Sequence, residues 1–180
     1  MVEIKLPDGN IKQLENEISV IEFAKMLSTS LAKKTVGAIF NGVQVDVSYT
    51  LNKSGDLQLI TIESETGVHI LRHSTTHIMA QAVKRLFPET KLGIGPVIEN
   101  GFYYDFDPIR PFTDEDLVNI EKEMKKIIKE NYKFARHELS KEELIERYKK
   151  ENEIYKLEIL ENLEDKIEKA FELGRHFILV

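Results

Sequence analysis

The chain has 180 residues, 42% of them hydrophobic and 8% aromatic. That is enough apolar side chain for packed cores and too much for a disordered chain. It holds no cysteine, which excludes disulfides, thiolate zinc sites and cysteine nucleophiles. The net charge of −6 argues against bulk electrostatic attraction to nucleic acid, so an RNA partner has to be held by a local basic face or by other parts of a larger protein.

The N-terminal stretch MVEIKLPDGN has no charged-then-apolar leader pattern and points to a cytoplasmic protein. No apolar run approaches the ~20 residues of a membrane span. Val2, Ile4 and Leu6 alternate as in a half-buried strand. Pro7 to Asn10 supplies a turn, and a second short strand runs through Ile11 and Leu14. Val20, Phe23, Ala24 and Leu27 then fall at helical spacing behind Ser19, the expected N-cap. VGAIFNGVQVDV predicts two strands joined at Asn41-Gly42, a strong hairpin signal, and DLQLITI a last strand. Strand, strand, helix, then strands is the order of a β-grasp module, expected over residues 1–62.

Residues 63–67 are polar and include Gly67, which suggests a linker. A long helix is expected from about Val68 to Phe87, stopped by Pro88. In KLGIGPVIENGFYYDFD, glycines and aromatics predict two strands around the turn ENG. Thr113 with Asp116, and Ser140 with Glu143, resemble capping boxes that open two further helices, the second ending near Tyr148. YKLEIL alternates, as a strand does, and the last stretch predicts a short helix, a stop at Gly174 and an apolar strand. The whole is α+β, with a long helix expected to pack on an antiparallel sheet in the second domain, residues 63–180. The mixed charge runs near 121–130 and 141–153 fit solvated helix faces better than a lysine-lined RNA surface.

The stretch LRHSTTHIMAQAVKRLFP places His73 and His77 one helical turn apart. On a wheel, Leu71, Ile78, Ala82 and Leu86 form the apolar side, with both histidines opposite, beside Ala80 and Lys84. The wheel therefore argues against core histidines. It leaves surface residues, residues under a second layer, or a functional pair sharing one ligand or water. Zinc needs a third and usually a fourth ligand, and His69, one turn earlier, is a weak candidate for that place. The glycines and proline of GIGPVIENGFYYDFD suggest close backbone approach to a ligand, with Tyr103, Tyr104 and Asp105 as pocket residues or as plain packing.

RHSTTHIMAQAVKRLFP followed by GIGPVIENGFYYDFD resembles the N-terminal region of bacterial threonyl-tRNA synthetases. The likeness covers almost the whole chain: residues 1–62 resemble the family's TGS domain, and the remainder its tRNA editing domain, the second additional domain. It implies an enzyme that joins threonine to tRNA(Thr) with ATP and hydrolyses Ser-tRNA(Thr) at a separate site. The resemblance makes His73 and His77 catalytic residues of the editing pocket, and Tyr104 and Lys156 substrate-binding ones. It implies the tRNA(Thr) acceptor end and the remainder of the synthetase as partners, and a homodimeric parent.

One departure limits this. The family completes its editing pocket with a downstream C-R-G-P-H motif, and this chain has no cysteine and ends FELGRHFILV. The editing domain is therefore expected to be C-terminally incomplete, with little hydrolysis by this chain alone. ATP, Mg and Zn are expected in the parent's catalytic domain, and no metal or cofactor in this chain. The alternative is a non-catalytic RNA- or protein-binding module that keeps the TGS domain. A metal hydrolase akin to alanyl editing proteins lacks its cysteine ligand here.

Overall fold

In the computed structural model, residues 1–132, 134–162, 168–173 and 176–179 are described, with backbone alone for residues 134–136 and 138 and for the last two segments. The chain divides into two units, Met1–Arg72 and His73–Val180.

Alternation builds the first unit. Strand β1 (Val2–Lys5) buries Ile4 and pairs antiparallel with β2 (Ile11–Leu14), which buries Leu14. Strand β3 (Ile18–Ser19) leads into helix α1 (Val20–Leu27), whose N-cap Ser19 and N3 residue Glu22 form a reciprocal capping box. Val20, Phe23 and Ala24 are its buried stripe. Helix α2 (Thr29–Lys34) follows, then β4 (Thr35–Phe40) and β5 (Val43–Val45), joined as expected at Asn41-Gly42. Both turn residues have positive φ (50° and 79°), the handedness that matches the twist of the flanking strands. Strand β6 (Thr50–Leu51) pairs with β3, and β7 (Gly55–Thr61) sits between β1 and β4. The five-stranded order is β2-β1-β7-β4-β5, parallel at β1/β7 and antiparallel elsewhere, with α1 packed on β4. One apolar core joins Ile4, Leu14, Val20, Phe23, Ala38, Phe40, Leu51 and Leu57.

Helix α3 (Glu65–Leu86) begins earlier than expected and absorbs part of the suggested linker. Ser64 explains this: its Oγ accepts from Gly67 N–H at 3.0 Å and its carbonyl from Val68 N–H at 2.8 Å, so it acts as the N-cap. The second unit continues with β8 (Lys91–Leu92), β9 (Val97–Ile98), β10 (Gly101–Phe102) and β11 (Phe106–Asp107). Strands β9 and β10 form the expected hairpin around ENG, and β11 pairs with β8. Helix α4 (Asp114–Glu130) opens on the Thr113/Asp116 capping box and packs Ile120 and Ile127 against Ala82 and Val83 of α3. Arg85 of α3 clamps this contact, reaching Glu123 at 2.9 Å and Glu130 at 2.7 Å.

Strand β12 (Phe134–Leu139) precedes α5 (Lys141–Glu151), which opens on the Ser140/Glu143 box. YKLEIL, expected as a strand, is instead helix α6 (Ile154–Glu161). Its buried residues are Lys156 and Leu160, after Glu153 at the N-cap. That spacing of three and four is helical, and Leu160 and Leu157 pack against Leu144 and Tyr148 of α5. The short helix expected near the C-terminus is also corrected where it is described. Glu168–Leu173 is strand β13, paired in full register with β12 and followed by β14 (His176–Leu179). Ladder pairing with β12 outweighs local helix propensity there. The expected stop at Gly174 lies outside the described residues. Among the described residues, no helix is long and apolar enough to cross a membrane.

Candidate functional site

The wheel's account of α3 is overturned by burial. Leu71 and Leu86, expected inside, are 51% and 38% exposed, whereas Thr76, His77, Ala80 and Gln81 are buried. A wheel that scores only large apolar residues misses a helix covered over a wide arc, where small and polar side chains face neighbours too. His77 is thus an interior histidine, 7% exposed, and His73 is half-buried beside it.

The two imidazoles meet through their Nε2 atoms, 3.0 Å apart, with the rings nearly perpendicular (79°). At that distance one Nε2 donates a hydrogen and the other presents a lone pair. The pair therefore offers a proton acceptor and a proton donor side by side, held by one rigid helix. Thr76 adds local order by donating from Oγ1 to the His73 carbonyl at 2.7 Å.

Further along the same face, seven residues and ~10 Å beyond His77, Lys84 reaches out of the helix end. Its Nζ donates to the Pro88 and Thr90 carbonyls at 2.9 and 3.1 Å and to Glu153 at 2.8 Å. Lys84 thereby ties the end of α3 to the turn that follows it. Glu153 is 5% exposed, and its other oxygen accepts from Leu92 N–H at 3.3 Å.

Lys156, one turn after Glu153 at the start of α6, is 9% exposed and donates from Nζ to the Gly93 carbonyl at 3.0 Å. Burial pushes its ammonium below the ordinary lysine range, and the Glu153 carboxylate counters that shift. Tyr104 stacks on Phe106 at 4.7 Å with the rings 14° apart. Its phenol is pushed well above the usual range by burial and then by Glu153, so it stays protonated and can donate. Gly95 makes room for it, since a Cβ there would sit 2.3 Å from the tyrosine ring.

Of the four residues singled out from sequence, His73 pairs with His77, and Lys156 and Tyr104 share the surroundings of Glu153. Helix α3 links the two groups through Lys84. Glu153 was missed because it ends a mixed charge run that resembles solvated surface, and Lys84 was placed beside the histidines on the wheel without a role. A cleft of about 430 Å³ opens beside the site, lined in part by Gly93, Asp105, Asp107 and Glu158. Tyr155 donates to Asp107 at 2.8 Å on its rim.

Comparison with known proteins adds a domain match and a set of relatives. Residues 2–61 match the TGS domain model. The chain is 46% identical over 175 residues, 97% of its length, to "Threonine--tRNA ligase" of Desulforamulus reducens, of which it spans 28%. It is 48% identical over 97% of its length to the threonine--tRNA ligase of Caldanaerobacter subterraneus subsp. tengcongensis, spanning 27%. It is 52% identical over 145 residues to that of Fusobacterium nucleatum subsp. nucleatum, which takes in 80% of this chain and 23% of the relative. The first unit is a TGS domain, and the chain corresponds along nearly its whole length to the N-terminal region of threonine--tRNA ligases, just over a quarter of their length.

Proposed function

We propose that the chain is the N-terminal region of a threonine–tRNA ligase, and that its second unit is part of the editing domain with which that ligase hydrolyses serine wrongly joined to tRNA(Thr). The observation that carries this is the His73–His77 pair: two Nε2 atoms 3.0 Å apart on one helix, one able to take a proton and the other to give one. Relatives named threonine--tRNA ligase across 97% of the chain support the choice of substrate.

The need for such a site follows from chemistry. A pocket that accepts threonine cannot strongly exclude serine, because one methyl group is worth only ~1–3 kcal/mol of discrimination. A hydrolytic site restores accuracy. In the proposed step the histidine pair takes a proton from water as its oxygen adds to the ester carbonyl. The ester C–O bond then breaks, and the ribose oxygen at the tRNA acceptor end leaves with a proton from the histidine pair. Lys156 and the protonated Tyr104 supply donors for the developing carbonyl oxyanion or the adjoining phosphate. ATP, Mg and Zn serve the joining reaction in this proposal, and dimerisation belongs to the full ligase.

Hydrolysis of Ser-tRNA(Thr) by the ligase carrying this segment tests the proposal. His77→Ala should lower deacylation by about 10²- to 10⁴-fold, the usual contribution of a positioned acid or base, while threonine attachment persists. Unchanged deacylation in a folded His77→Ala protein would remove the histidine pair from the chemistry. If tRNA binding survived that result, the segment would be a binding module instead.

A further inference from the structure

Glu153 stands where an N-cap residue belongs, yet it makes no side-chain cap hydrogen bond to its own helix. Its carboxylate turns inward, to Lys84 Nζ at 2.8 Å and Leu92 N–H at 3.3 Å. The Glu153 side chain is 6% exposed and that of Lys84 20%, so both charges have lost much of their water. Lys156, itself 9% exposed, lies one turn along α6 and has Gly93 O as its hydrogen-bond partner among the described residues. Two cations and one anion are thus gathered in a poorly hydrated place.

Burying such groups is unfavourable unless each has partners that hold it. Lys84 is fully occupied by two carbonyls and the carboxylate. Lys156 has one carbonyl, and the Glu153 carboxylate one turn earlier opposes the effect of its burial. From this arrangement we infer that Glu153 is a positioning residue. Anchored by Lys84 Nζ and the Leu92 N–H, its buried carboxylate fixes the start of α6 against β8 and so aims Lys156, held at the adjoining Gly93 carbonyl, toward a substrate oxyanion. The inference deepens the editing proposal and rests on it for the identity of the substrate.

The surroundings allow the assignment to be specific. The elements packed on α6 carry Lys91 on β8 and Lys141, Glu142, Glu143, Glu146, Arg147, Tyr148, Lys149, Lys150 and Glu151 on α5, with Lys84 and Tyr104 beside Glu153. Among the described residues, Glu153 is the charge that acts on Lys156, and it acts in the direction that favours the ammonium. It also acts on Tyr104, favouring the neutral phenol, so a single carboxylate keeps both neighbours in their donor forms.

The test follows the Lys156 ammonium directly, by NMR titration of the ¹³Cε-labelled lysine in the 180-residue chain, alongside Ser-tRNA(Thr) deacylation by the full ligase. In Glu153→Gln the Lys156 midpoint should move to lower pH, and deacylation should fall about tenfold at pH 7, with its alkaline limb moving the same way. Glu153→Asp, which keeps the charge, should restore most of both. An unmoved Lys156 midpoint in folded Glu153→Gln overturns the inference, as does an equal loss in both variants with a stationary limb. If Glu153→Gln does not fold, Lys84→Met supplies the opposite sign. Freed from Lys84, Glu153 should raise the Lys156 midpoint, and no rise overturns the inference. Absence of deacylation in the wild-type ligase would refute the editing proposal alone, because the Lys156 titration still decides the role of Glu153.

Discussion

The two units bury different kinds of side chain. In the first, one apolar core runs through the sheet and α1, and Thr35 is its one buried polar residue among those described, satisfied by the Leu31 carbonyl at 2.9 Å. In the second, the apolar clusters are smaller, and Thr76, His77, Gln81, Thr90, Asp116, Glu153 and Lys156 are all buried. Buried charge is costly and is kept where it has a task or a tight set of partners. The contrast separates a module with one apolar interior from one whose interior also buries polar and charged groups.

The largest test of that contrast is Phe23→Ala in the first core. Phe23 is fully buried, so truncation should cost about 3–5 kcal/mol in urea unfolding. Deacylation by the fraction that remains folded should be unchanged. A parallel loss of deacylation in folded protein would show that the two units do not divide the work in this way.

A smaller, pH-dependent effect sharpens the comparison from the other side. Arg110 donates to both oxygens of Asp116 at 2.6 and 3.1 Å, and the Thr113 N–H adds a third hydrogen bond at 2.8 Å. Led by the Arg110 hydrogen bonds, these contacts hold the Asp116 carboxyl well below the usual carboxylate range. A depressed carboxyl stabilises fully above its unfolded value and loses that stabilisation as pH falls through the folded value. The gap in urea midpoint between wild type and Asp116→Asn should therefore be constant from neutral pH down to about 5 and shrink below about 4. A gap that ignores pH would mean the carboxylate charge contributes nothing.

The smallest expected effect is at Tyr148, whose ring is buried in the α5/α6 cluster while its hydroxyl has no hydrogen-bond partner among the described residues. Removing an unsatisfied hydroxyl and keeping the ring should leave thermal stability unchanged or slightly raised in Tyr148→Phe. A clear drop would show that the hydroxyl has a partner that matters.

Legibility followed the same division. Period-two alternation, the Asn41-Gly42 turn and the Ser19 cap are local signals, and they predicted the five main strands and α1 of the first unit, though not α2 or the short strands β3 and β6. In the second unit the Thr113 and Ser140 boxes were equally plain, for the same local reason. YKLEIL was not, since its alternation is real but its buried face is set by α5. β12 was not, because it pairs with a strand far along the chain. Resemblance singled out His73, His77, Tyr104 and Lys156, and spacing alone had left the histidines ambiguous. Glu153 and Lys84 carry no local mark that separates them from the surface charges around them.

By itself, then, the sequence determined which segments turn, cap and alternate, the β-grasp order of the first unit, and the histidine pair on one helical face. Those features depend on neighbours a few residues away, which the chain specifies directly. The tertiary structure alone decided that this face is interior, that α6 is a helix, and that Lys84, Glu153 and Lys156 share one poorly hydrated place. Burial and charge pairing depend on what covers a side chain, and here that cover comes from segments more than sixty residues apart.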